Sequence, residues 1–221
     1  MFPAGARERS GPARIFLTGE RQVGKSTLIK KYVKETGVAA AGFLTYWLEG
    51  DKAGDEGEGG EGCDGDEGCE GGDGGERGAK GNPRRLFISP FADPPPVGER
   101  YLIAWQEQAG GRPRVLHDVF DDRGAAILRD AGSPALIVMD ELGVMESGSP
   151  GFQRAVLERL AGDIPILGVI QARTSPFLDR LRGEKGVELV EITVDNREEA
   201  LVWLLRRRVG CTQGKRMGGG R

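Results

Sequence analysis

Residues 19–27 read GERQVGKST, running from Gly19 through Glu20, Arg21, Gln22, Val23, Gly24, Lys25 and Ser26 to Thr27. The spacing is G-x-x-x-x-G-K-[ST], a loop that cradles nucleotide phosphates when it joins a buried strand to a helix. Both neighbours have that character. Ile15, Phe16 and Leu17 form an apolar run before it, and Leu28, Ile29, Tyr32 and Val33 follow at helical spacing. Gly19 and Gly24 allow a tight turn with no Cβ beside the phosphates. Consecutive backbone N–H groups and the helix N-terminus then face the anion. Lys25 reaches the β and γ phosphates, and the Ser26 hydroxyl offers a ligand to Mg²⁺. All nine residues are therefore assigned to nucleotide binding, with Lys25 also catalytic.

The second decisive stretch is ALIVM, residues 135–139, which runs straight into Asp140 and Glu141. A continuous apolar run of this length suits a strand covered on both faces. In a protein with a phosphate loop, an acid at the end of such a strand holds Mg²⁺, so Asp140 joins Ser26 as a metal ligand. Glu141, one residue on, is placed to orient and deprotonate water. That pair predicts hydrolysis of the terminal phosphate by in-line attack, with Lys25, the loop amides and Mg²⁺ stabilising the phosphoryl oxygens. An arginine can add to this charge stabilisation. Arg173 and Arg197 are the catalytic candidates, with Arg21 inside the loop as a third. Gln171 is a candidate for sensing the γ phosphate or aligning water.

The rest of the chain reads as α/β. Strands are expected at residues 13–17, 42–48, 85–89, 101–105, 135–139, 164–170 and 187–193, with residues 85–89 antiparallel to 42–48. Helices are expected at residues 26–35, 121–130, 152–160 and 175–181. A last helix carries Leu201, Leu204 and Leu205, opened by a capping box of Asp195 and Glu198. Pro165 stands at a strand start, where a missing N–H is tolerable. This order implies a mainly parallel sheet with its ligand beyond the carboxyl ends of the strands. His117, the single histidine, has no nucleophile motif with it and reads as a strand-end or surface residue.

Charge divides the chain unevenly. Residues 49–76 hold 12 acidic residues, 12 glycines and one lysine, a formal charge of −11. The whole chain carries −3, so the other 193 residues carry +8. With little apolar surface and strong self-repulsion, residues 49–82 are expected to be a disordered, solvated insert, open to an unknown protein partner. The domain therefore spans residues 13–205, between a flexible leader (1–12) and a flexible basic tail (206–221). Its basic balance suits a polyphosphate and leaves nucleic acid open, although the basic residues are not grouped with aromatic platforms. The three cysteines, Cys63, Cys69 and Cys211, make neither a disulfide framework nor a zinc pattern. No apolar run approaches a membrane span of about 20 residues, and no signal peptide is legible. A cytoplasmic protein, monomeric or weakly homo-oligomeric, is expected.

Taken together, IFLTGERQVGKSTLIKK, GFLT, VMDELGVMES and ITVDNREE resemble the small thermophile-type nucleoside-triphosphatases of the P-loop class. The resemblance covers residues 13–205. It implies a three-layer, RecA-like α/β core and Mg²⁺-dependent hydrolysis of ATP, GTP and other nucleoside triphosphates to diphosphate and phosphate. It matches Gly19, Gly24, Lys25, Ser26 and Thr27 to the family's phosphate loop, and Asp140 and Glu141 to its metal-associated and catalytic acids. Two departures stand out. Glu20-Arg21-Gln22 is bulkier and more charged than the usual loop interior. Gln171-Ala172-Arg173 stands where a histidine-arginine type sequence is frequent. Two other activities share the phosphate loop, a nucleoside or nucleotide kinase and a nucleic-acid-dependent ATPase. A guanine-reading N-K-x-D sequence is absent.

Overall fold

In the computed structural model, residues 11–49, 83–92, 94, 98–107 and 111–211 are described. The expected leader and acidic insert, with Cys63 and Cys69, lie outside these residues apart from their edges, as does most of the basic tail.

The first strand, β1 (Arg14–Thr18), passes through the phosphate loop into α1 (Lys25–Thr36). Then come β2 (Ala40–Glu49), β3 (Arg84–Pro90), β4 (Leu102–Gln106) and the two-residue β5 (Arg114–Val115). A short helix α2 (His117–Val119) continues through a π turn (Phe120–Gly124) into α3 (Ala125–Asp130). The second half alternates strictly: β6 (Leu136–Leu142), α4 (Pro150–Ala161), β7 (Ile166–Ile170), α5 (Pro176–Gly183), β8 (Val187–Glu191) and α6 (Arg197–Arg207).

One eight-stranded sheet results, in the order β5-β4-β3-β2-β6-β7-β1-β8. The five strands from β2 to β8 are parallel neighbours, and β3, β4 and β5 add an antiparallel edge. The fold is thus the expected three-layer α/β arrangement. On one face Ile15, Leu17, Val138 and Leu167 of the sheet pack with Ile29 and Tyr32 of α1 and Leu201 and Leu204 of α6. On the other, Phe16, Phe43, Ile137 and Met139 pack with residues of α3, α4 and α5. From Leu136 to Met139 β6 is apolar because both its faces are covered.

Two local expectations are corrected. The capping box of Asp195 and Glu198 does not form: α6 starts at Arg197 with no side-chain cap. The Asn196 side chain takes its own bonds instead, accepting from the Thr193 N–H at 2.9 Å and donating to the Glu191 carbonyl at 3.0 Å. Glu198 turns to Lys31 on α1, 3.4 Å away. Pro165 precedes β7 rather than opening it; its carbonyl accepts from the Ile137 N–H at 2.9 Å. His117 is exposed, and its Nδ1 lies 2.9 Å from Ser149 Oγ at the start of α4.

The second face turns on an aromatic cluster. Phe152 is fully buried, with ring centroids 5.4 Å from both Phe43 and Phe120. It joins β2, the π turn and α4, so a cavity there has no flexible neighbour to fill it. Phe152→Ala is expected to cost about 3–5 kcal/mol, against about 0.5 kcal/mol or less for Val202→Ala on the exposed face of α6. Urea unfolding of the two variants checks this difference.

Candidate nucleotide-phosphate site

The phosphate loop lies at the carboxyl end of β1 and starts with a backbone no side chain would tolerate. Gly19 has φ of +127°, and a Cβ there would sit 2.2 Å from the Ile192 carbonyl oxygen. Close passage of the chain after β8, rather than the phosphates, is the contact that excludes a side chain at this position. Gly24 has φ of +96° and opens α1. Between them Val23 is buried in the core, anchoring the loop, while Glu20, Arg21 and Gln22 are exposed. Lys25 is nearly buried, and its ammonium donates to the carbonyls of Gly19, at 3.0 Å, and Glu20. Burial pulls its pKa down, against the raising effect of Glu141 and then Asp140.

The acids arrive from β6. Regular strand alternation would send Asp140 and Glu141 to opposite faces. The β6–β7 register slips between Met139 and Leu142, an irregularity that holds both acids, and both line the same cavity as the loop. Ser26 Oγ donates to Asp140 Oδ1 at 3.1 Å. The Glu141 N–H donates to Thr45 Oγ1 at 3.1 Å, and Gln171 Nε2 donates to Glu141 Oε1 at 2.5 Å. Glu141 is therefore braced twice, at its backbone from β2 and at its carboxylate by the residue that follows β7.

Desolvation dominates the titration of the acids. Asp140 is pushed up to about 7 by burial, partly opposed by its hydrogen bond with Ser26. Glu146 is also pushed up to about 7 by burial, although it accepts from the Gly143 N–H at 2.9 Å. Asp140 Oδ2 is buried without a hydrogen-bond partner among the described residues. That orphaned oxygen beside a serine hydroxyl is a hard donor set, and it fits a small divalent cation such as Mg²⁺. Among the described residues no three His, Cys, Asp or Glu cluster to hold a metal. A cation here would complete its shell with phosphate oxygens and water, as Mg²⁺ commonly does.

The cavity holds about 380 Å³. Of the nine loop residues assigned to nucleotide binding, Arg21, Gln22, Gly24, Lys25, Ser26 and Thr27 line it, with Asp140, Glu141 and Gln171, whereas Gly19, Glu20 and Val23 do not. Arg197 lies outside it, in a groove of about 270 Å³ on the outer side of the loop, shared with Gly24, Thr27 and Lys31. Arg173 is exposed and lines neither space; its carbonyl accepts from Arg182 at 2.6 Å. The sequence reading did not assign Thr45, Trp47, Arg84, Gln106 or Glu146 to the site, yet all five line the cavity. Only Glu146 carried a hint, being an acid close after Asp140 and Glu141.

Glu146 makes the site sensitive to pH. A folded pKa near 7, above the ordinary 4.5, means the folded state favours the protonated acid. The stability this contributes is complete below about 4.5, and it is lost as pH rises through about 7. The ligand-free protein should therefore lose Tm across this window, and Glu146→Gln should flatten the loss, by an amount on the order of 3 kcal/mol at most. Thermal unfolding of both proteins at a series of pH values checks it; parallel curves would refute it.

The comparisons with known proteins converge on this architecture. A family model described as NTPase matches residues 99–204, which include both acids. The nucleoside-triphosphatase THEP1 of Natranaerobius thermophilus is 25% identical over 202 residues, covering 88% of this chain and 96% of that protein. THEP1 of Thermofilum pendens is 45% identical over 76 residues, 33% of this chain and 41% of its own length. The crystal structure of THEP1 from the hyperthermophile Aquifex aeolicus superposes with a TM-score of 0.58 at 23% identity, over 88% of this chain and 98% of that one, and supports the fold. In sequence the chain is thus similar to small nucleoside-triphosphatases, and in fold to a P-loop member of that group.

Proposed function

We propose that this chain is a nucleoside-triphosphate phosphohydrolase that releases the terminal phosphate of ATP, GTP and other nucleoside triphosphates with the help of Mg²⁺. One observation carries the reading. The Ser26–Asp140 hydrogen bond draws the phosphate loop and the acidic end of β6 into one cavity. The relatives named as nucleoside-triphosphatases support the same activity.

The residues divide the work by position. The loop amides and the N-terminus of α1 bind the phosphate oxygens. Lys25, which the Gly19 and Glu20 carbonyls hold inside the loop, moves its ammonium onto the β and γ phosphates when they arrive. Ser26 and Asp140 would hold Mg²⁺, which when bound offsets charge on the phosphoryl oxygens. Glu141 accepts the proton of the attacking water. Gln171 holds its carboxylate, and Thr45 holds its backbone N–H. Arg21 reaches the cavity from the loop, which favours it over Arg173 as the arginine that meets the transferring phosphoryl group. Arg197, against Gly24, is better placed to steady the nucleotide from the outer side of the loop.

Lys25→Ala should lower kcat/KM by about 100-fold or more. Glu141→Gln should lower kcat by about 100-fold or more while leaving triphosphate affinity within about three-fold. Steady-state phosphate release from ATP, GTP, CTP and UTP, with and without Mg²⁺, and a direct binding titration check both. Equal loss of binding and turnover in a folded Glu141→Gln protein would remove the general-base role. Arg21→Ala should reduce kcat more than Arg173→Ala in the same assay.

A further inference from the structure

β2 overhangs the parallel sheet. Its pairing with β6 ends at Leu44 and Asp140, while the remainder, up to Glu49, pairs with β3 alone. On this overhang Thr45 and Trp47 share a face with Leu86 and Arg84 of β3, and Gln106 of β4 lies directly across from Arg84. The wall begins at Glu141, because Thr45 Oγ1 accepts the Glu141 N–H. Trp47, two residues further along the strand, stands about 7 Å beyond it. The Arg84 guanidinium is 5.3 Å from the Trp47 ring centroid. Its Nε is buried without a hydrogen-bond partner among the described residues.

Water needs no such wall. The base of the hydrolysed nucleotide has a different exit. Lys25 and Ser26 take the β and γ phosphates, and both acids stand on the γ side. On that orientation the remainder of the nucleotide would leave over Thr27, towards the groove of Arg197 and Lys31. The wall of Trp47, Arg84 and Gln106, in the same cavity as both acids, would then lie beyond the γ phosphate.

Resting on the hydrolase reading for the direction of the triphosphate, we infer that this wall is an acceptor site for a nucleoside or nucleoside monophosphate, whose hydroxyl takes the γ-phosphoryl group in place of water. An indole with a guanidinium over it suits a flat heterocycle. The Gln106 amide offers a donor and an acceptor to a base edge, and Arg84 offers an unused N–H to a base or to a monophosphate. In the transfer, the acceptor oxygen bonds to the γ phosphorus as the bond from that phosphorus to the β–γ bridging oxygen breaks. Glu141 takes the hydroxyl proton, and the nucleoside diphosphate leaves with the electron pair.

The full chain is incubated with γ-labelled ATP and Mg²⁺ in the presence of each common nucleoside and each nucleoside monophosphate in turn, and label is divided between free phosphate and phosphorylated acceptor. In parallel, a Trp105→Phe/Trp203→Phe protein, with Trp47 as its one remaining indole, is titrated with the same compounds without triphosphate. Label is expected in at least one phosphorylated acceptor, and the same compound should quench Trp47 saturably. Trp47→Ala and Arg84→Ala should each lower kcat/KM for that acceptor by about ten-fold. Label confined to free phosphate at millimolar acceptor overturns the inference. So does an acceptor that raises the KM for ATP competitively without taking label, since the wall would then hold the base of the hydrolysed nucleotide. If no label leaves ATP at all, the hydrolase reading fails separately, and the titration decides the site: saturable quenching supports it, and its absence overturns it.

Discussion

A single hydrogen bond, Ser26 Oγ to Asp140 Oδ1, joins segments 114 positions apart, and the arrangement of the site follows from the need to make it. β1 and β6 are not neighbours, because β7 lies between them. The loop after β1 has to reach across the end of β7 before its serine can meet the acid. This is possible because β7 stops at Ile170, and the chain turns there at Gln171. That turn brings the Gln171 amide to Glu141. The intervening strand thus supplies the support for the second acid while leaving room for contact with the first.

The described residues of the site do not by themselves compensate its buried charges. Burial works against the charged forms of Lys25, Asp140 and Glu146 alike, and such groups are tolerated only when something compensates the lost hydration. Lys25 finds two backbone carbonyls. Asp140 finds one hydroxyl, and its other oxygen stays unpartnered. A polyphosphate answers the first deficit and a divalent cation the second. Binding both would restore charge compensation to groups that folding has stripped of water, so ligand and fold stabilise one another by linkage.

Much of this was legible in the sequence, where local pattern and chemistry coincide. The phosphate loop has a fixed spacing, and β6 announces itself by an apolar run ending in two acids. Trp47, Arg84 and Gln106 could not be assigned the same way. Each reads as the polar or aromatic member of a half-buried strand, and only the antiparallel register places them on one face beside Glu141. Asp195 and Glu198 have the spacing of a capping box, yet Asn196 competes for the same backbone and shifts the helix start. Arginines were the hardest to sort. Arg173 follows a core strand and Arg21 sits in an exposed loop, but the side chain's reach rather than its position in sequence decides which one meets the cavity.

Glu141 shows why the antiparallel edge belongs to the chemistry rather than decorating it. A carboxylate that is to take a proton during a brief transition state gains from being held beforehand, since fixed groups need no reorganisation when charge develops. The irregularity in β6 turns Glu141 into the same cavity as Asp140. β7 fixes one carboxylate oxygen through Gln171, and β2 fixes its backbone through Thr45. Thr45 is the first residue of β2 past the pairing with β6, so it belongs to the overhang that β3 supports. Removing that overhang would release Glu141 from one of its two hydrogen-bonded anchors. The same strand therefore braces the proposed base and carries the proposed acceptor wall.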